Sequence, residues 1–156
     1  MGVFLKLRRI LKLGRGQEGS ATVEFGLCLF PLLLIVGGIL DYGHLWYMQS
    51  VLTTASREGA RYATRYQTDP TTGARLAPNA LSPLVTDYIT TNYAGLLPSD
   101  ASLTVTPGGA GYSTGITGAQ VSIQVSANKS WFFLNYLIPG TTNPQPLSSK
   151  TVMTCE

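Results

Sequence analysis

The chain has 156 residues, a formal charge of +3, and only 12% charged residues, against roughly a quarter in ordinary soluble domains. The positive charge is confined to the start: Lys6, Arg8, Arg9, Lys12 and Arg15 oppose Glu18 within residues 1–19, whereas the remainder carries six basic and seven acidic residues. A nucleic-acid-binding domain is basic where it folds, so no nucleic-acid partner is expected, and the length leaves room for one membrane anchor and one small domain.

Residues 1–19 read as a basic leader. Apolar residues alternate with cations, and Gly14, Gly16 and Gly19 break any helix near its end. Such a stretch lies on an anionic membrane face, and the positive-inside rule keeps it cytoplasmic. Position 6 is Lys rather than Ser or Thr, which argues against myristoylation at Gly2.

Ala21 to Leu40 then supplies the length of about 20 mostly apolar residues that a bilayer core requires. Glu24 is its only charge, and the sixteen residues from Phe25 to Leu40 have none. Carboxylates are costly in lipid, so one at the head of such a helix calls for a reason. Pro31 and the pair Gly37-Gly38 interrupt the run; Pro31 removes one backbone bond and predicts a local bend. A cleaved secretory signal is the rival reading. The run is long for one, and no small-x-small site follows it cleanly before Asp41.

The helix is expected to continue beyond the membrane segment, 20–41, through 42–66. No proline occurs from Asp41 to Tyr66. Met48, Leu52, Ala55, Gly59, Tyr62 or Ala63, and Tyr66 recur at spacings of three and four, one helical face. Tyr42, Trp46 and Tyr47 stand just past the apolar run, where aromatic rings favour the lipid–water boundary. Arg57, Arg61 and Arg65 form a basic ridge at i,i+4, and Glu58 is placed to pair with Arg61. Gly59 costs about 1 kcal/mol relative to Ala inside a helix. Either it lets another backbone approach, making Arg57, Glu58, Gly59 and Arg61 a partner-facing groove, or it packs on the protein's own sheet.

Residues 67–156 read as a small exported α+β domain. Thr68 to Pro83 is loop. Ser82 suits an N-cap and Pro83 the first position of a helix running to about Ala94, with Leu84 and Tyr88 on one face. Leu103 to Thr106 is a short strand, and Pro107 to Gly118 a glycine-rich turn holding Tyr112. Ala119 to Ala127 alternates Val121, Ile123 and Val125 against polar residues, the clearest strand in the chain. Trp131 to Ile138 is strand, short helix or membrane-facing flap. Its cluster of Trp131, Phe132, Phe133, Tyr136 and Leu137 reads first as core packing and, more sharply, as a sticky interface. Leu147 to Cys155 is a last strand. The fold class expected is α+β: a long N-terminal helix, transmembrane in its first half, packed on a small antiparallel sheet with a second short helix.

Chemistry-bearing motifs are scarce. His44 is the only histidine, and Cys28 and Cys155 are expected to be free because a helix in lipid and a distant strand do not approach. No phosphate loop, zinc-ligand pair or calcium loop occurs. No metal, cofactor or catalytic group is expected, and the chain does not read as an enzyme.

The order Gly19-Ser20-Ala21-Thr22-Val23-Glu24-Phe25, an apolar run, Asp41-Tyr42-Gly43, and Ala55-Ser56-Arg57-Glu58-Gly59-Ala60-Arg61-Tyr62-Ala63 resembles the TadE-like family over about residues 16–66, with a weaker echo in the last strand. These are minor pilins, or pseudopilins, of tight-adherence (Flp-type, type IVc) pilus systems. The resemblance implies a pilin-like architecture and cleavage by a prepilin peptidase between Gly19 and Ser20. It implies a bacterial inner membrane location with the C-terminal domain exported, and a role in assembling a pilus for adhesion or secretion. The partners implied are the peptidase, other pilus subunits and inner-membrane assembly proteins. Cleavage would create an ammonium group at Ser20, one helical turn from Glu24 with Phe25 beside it, and that group or a neighbour's would neutralise the carboxylate. The alternative is a permanently anchored single-pass envelope protein whose exported domain binds a ligand without entering a pilus.

Overall fold

The computed structural model describes residues 18–138, 140 and 142–155; the basic leader up to residue 17 and Glu156 lie outside them. The chain divides into two compact units, Met1–Leu40 and Asp41–Glu156.

Helix α1, Glu18–Thr64, runs unbroken through Pro31. In the first unit its apolar side chains are bare: Val23, Phe25, Leu27 and Ile39 are each about two-thirds or more exposed. Among the described residues this one helix is long and apolar enough to cross a membrane.

From Asp41 onward the same helix has an inward face. Met48, Leu52, Ala55, Gly59 and Ala63 are buried, on the three-and-four spacing expected, whereas Tyr66 lies beyond the helix and is exposed. The face packs on a three-stranded antiparallel sheet: β1 (Thr104–Gly108), β2 (Gln120–Lys129) and β3 (Gln145–Thr154), in the order β1-β2-β3. Val125 opposes Val105 on one side and Ser149 on the other. The alternation in β2 places Val121, Ile123, Val125 and Ala127 inward, so one face of the central strand meets the helix. Ser56, fully buried on α1, bonds the hydroxyls of Ser149 at 3.1 Å and Thr151 at 2.9 Å. These polar contacts fix the helix against edge strand β3 where apolar contact alone would let it slide.

The second helix, α2, spans Val85–Tyr93 and is followed by a 3-10 turn, Ala94–Leu96. It starts later than Ser82-Pro83 implied, with Leu84 at the N-cap and no side-chain cap. The Pro83 carbonyl instead accepts the Tyr62 hydroxyl at 2.8 Å, outside the helical ladder. The inward face is therefore Val85 and Ile89, while Leu84 is exposed. Tyr88 stacks on Tyr62, ring centroids 4.4 Å apart.

The turn expected from Pro107 to Gly118 contains a short helix, α3, Ala110–Thr114, entered through Gly109 at φ 93°. A Cβ at Gly109 would meet the Gln120 carbonyl oxygen at 2.4 Å, so glycine is needed there twice over. Trp131 to Ile138 resolves into Trp131, Phe132 and Phe133 followed by a one-turn helix, α4, Leu134–Leu137. Core packing fails for two of these aromatic residues: Phe132 is 57% and Phe133 48% exposed.

Gly59 faces the core. A Cβ there would lie 2.3 Å from Ile89 Cδ1 and 3.4 Å from Ile123 Cγ2. The helix, α2 and the sheet meet at this point, and only a missing side chain admits Ile89. Gly59→Ala should lose about 1 kcal/mol net, overpacking of about 1–3 kcal/mol exceeding the helix-propensity gain. Gly59→Leu should lower the melting temperature of the detergent-solubilised chain much further; an unchanged melt would mean that this junction is not tightly packed.

Candidate functional site

Three groups of residues bear on function. The first is the start of α1. Gly19 and Ser20 lie within the helix, exposed, rather than in the extended segment that suits a peptidase. A Cβ at Gly19 would touch nothing within 4 Å. The Ser20 hydroxyl reaches Glu24 Oε1 at 3.4 Å, which puts the two residues on one helical face. Glu24 and Phe25 are exposed.

The second group is the 57–61 segment, and the structure does not bring it together as a groove. Gly59 points into the core, while Arg57 and Arg61 point out. The Glu58–Arg61 pair, 3.5 Å apart, is well exposed on both sides and contributes at most about 1 kcal/mol. Arg61 and Arg65 border a shallow depression of about 500 Å³ that Tyr62, Tyr88 and Met153 help line.

The third group centres on Asp41, the residue that ends the uncharged run. Its side chain is fully buried. Oδ1 accepts the Phe132 amide at 3.0 Å, and Oδ2 accepts those of Phe133 and Leu134, each at 2.9 Å. These are the amides that α4 leaves unbonded at its start, so a carboxylate 91 or more residues away in sequence caps this one-turn helix. The charge is balanced by Lys129, whose Nζ lies 3.6 Å from Oδ1 with both side chains inaccessible to solvent. Lys129 also donates to the Ser130 carbonyl at 2.9 Å and sits about 5 Å from the Trp131 and Phe132 ring centres. Every charge and donor in the cluster is answered, as burial requires.

Sequence reasoning assigned Asp41 no contact and Lys129 no role. A signal existed for Lys129: the inward positions 121, 123 and 125 continue by twos to 127 and 129. A lysine on the buried face of a strand needs an acid, and Asp41 stands on the helix packed there. His44 is the other polar residue nearby. Its Nδ1 is buried without a hydrogen-bond partner and its ring lies 5.5 Å from Phe132. Desolvation, aided by the Lys129 charge, holds its pKa below the usual histidine value, so it is neutral at pH 7.

Among the described residues no three His, Cys, Asp or Glu side chains come together. Cys28 is exposed, Cys155 buried, and both are free. These features define a class: an α+β domain built on the continuation of a membrane-length helix. Residues 19–61 match the family model of the TadE-like proteins, and over that head the chain is similar to them. The match takes in Gly19 to Phe25, Asp41 and the Arg57–Arg61 segment; the last strand lies outside it. No curated protein and no solved structure matches the chain.

Asp41→Ala should cost about 3–5 kcal/mol, because it strands a buried ammonium and three amides. Asp41→Ala with Lys129→Met should recover part of that loss, since the charge would no longer be buried alone. A double-mutant cycle on the detergent-solubilised chain measures the coupling; additive losses would show that the two charges do not sense each other.

Proposed function

We propose that this chain is a minor pilin or pseudopilin of a tight-adherence pilus, acting in pilus assembly for adhesion or secretion. In this reading residues 1–19 are a leader removed by a prepilin peptidase between Gly19 and Ser20. Residues 20–41 span the bacterial inner membrane with the N-terminus cytoplasmic, 42–66 continue the helix outside, and 67–156 form the exported domain. The family match over residues 19–61 supports the pilus association. The observation that carries the processing is the placement of Ser20 and Glu24 on one face, side chains 3.4 Å apart. A new amino group at Ser20 would lie one turn from the carboxylate, or would reach it from an adjacent subunit. In lipid an unpaired carboxylate is costly, so the pairing selects the axial register of neighbouring helices. Arg57 and Arg61, with Glu58 between them, present a surface to acidic neighbours among the other pilus subunits and assembly proteins; Gly59 serves the core.

The inclusion of Gly19 and Ser20 in a helical turn favours the second reading, a permanent single-pass anchor. N-terminal analysis of protein from its native membrane separates the two. Serine 20 as first residue is expected; an intact Met1 would leave the simple anchor. Glu24→Ala should insert normally yet block pilus assembly, scored by sheared surface fibres, and normal fibres would refute the role of the carboxylate.

A further inference from the structure

We propose that Trp131, Phe132 and Phe133 form an aromatic tip that seats in the headgroup region of the bilayer, giving the exported domain its own contact with lipid. The inference rests on the reading of residues 20–41 as a membrane span.

Three observations support it. The tip is apolar and open: Phe132 is 57% and Phe133 48% exposed, and Ile138, just past α4, is 51% exposed. It is tied to the residue at which the uncharged run stops. Asp41 accepts the amides of Phe132, Phe133 and Leu134 within 3.0 Å, and the Tyr42 ring lies 6.3 Å from that of Trp131. If Phe25–Leu40 lies in hydrocarbon, whatever Asp41 holds this closely is at the lipid–water boundary. Tyr42, Trp46 and Tyr47 on the helix are also half or more exposed, so several aromatic rings gather at one level. Trp and Tyr are the residues that favour that level.

The third observation concerns the donors of the tip, which are answered from within. The Trp131 amide donates to Asn143 Oδ1 at 3.3 Å, and its indole nitrogen to the Thr142 carbonyl at 3.0 Å. The three following amides go to Asp41, and the Lys129 charge is neutralised beneath the rings. Irregular backbone near hydrocarbon requires such internal satisfaction. The Phe132 and Phe133 side chains remain exposed beside this network, apolar surface available to the membrane.

The test uses the chain's two tryptophans, Trp46 and Trp131. Trp46→Phe leaves Trp131 as sole reporter. The full chain is reconstituted into phosphatidylethanolamine–phosphatidylglycerol vesicles carrying nitroxide lipids labelled near the headgroup or near the chain end. The expected result is blue-shifted emission, quenched by the shallow label more than by the deep one and little by aqueous iodide. Adding Phe132→Ser and Phe133→Ser, which keep the backbone donors to Asp41, should shift the emission red and restore iodide quenching. Iodide quenching equal to that of a water-exposed indole, with no lipid quenching, would overturn the proposal. Protection from iodide that grows with the protein-to-lipid ratio, without lipid quenching, would also overturn it and assign the tip to a second copy of the chain. Carbonate washing of the same vesicles keeps the two readings apart. A chain that washes off defeats the anchor, whereas a chain that stays with a wet Trp131 defeats only the tip.

Discussion

A carboxylate and an ammonium buried together organise the second unit, Asp41–Glu156. Asp41 and Lys129 are 3.6 Å apart and shielded from solvent, in surroundings where either charge alone would be strongly unfavourable. The pair does little for net stability compared with apolar residues of equal size. What it supplies is position. It fixes the last residue of β2 against the first charge after the apolar run, and through three amides it fixes the start of α4 at the same point. The rest of the domain then follows by packing: the helix face from Met48 to Ala63 lies on the inward side of β2, with α2 wedged in where Gly59 leaves space.

The parts legible in the sequence were those governed by periodicity. The helix face, the alternation of Val121, Ile123 and Val125, and the α+β class all follow from spacings of 3.6 and 2. The membrane-length run is legible from composition alone. What was misread depends on contacts between distant segments. Ser82 and Pro83 have the right chemistry to open a helix, but the Tyr62 hydroxyl takes the Pro83 carbonyl and shifts both the start and the buried face. Phe132 and Phe133 look like core because they are large and apolar; their amides are claimed by Asp41, and the side chains are left outside. Lys129 was hidden inside the polar triplet Asn128-Lys129-Ser130, although its parity with Val125 points it inward.

The two units carry different demands. In the first, Glu24 is an exposed carboxylate on a bare apolar helix, reached by the Ser20 hydroxyl at 3.4 Å. In the second, Asp41 is a carboxylate with every need met. One is exposed; the other has a partner built into the fold. That contrast sets an exposed acid apart from a structural one, and both lie within residues 19–61, which match the TadE-like family model.

The central claim is that Asp41 organises the domain by binding the amides of Phe132, Phe133 and Leu134. Hydrogen–deuterium exchange resolved to those three amides tests it most directly. In the reconstituted wild-type chain they should exchange slowly, as slowly as the central amides of β2, and Asp41→Ala should release them together. Rapid exchange of the three in the wild-type chain, or slow exchange that survives the substitution, would contradict it.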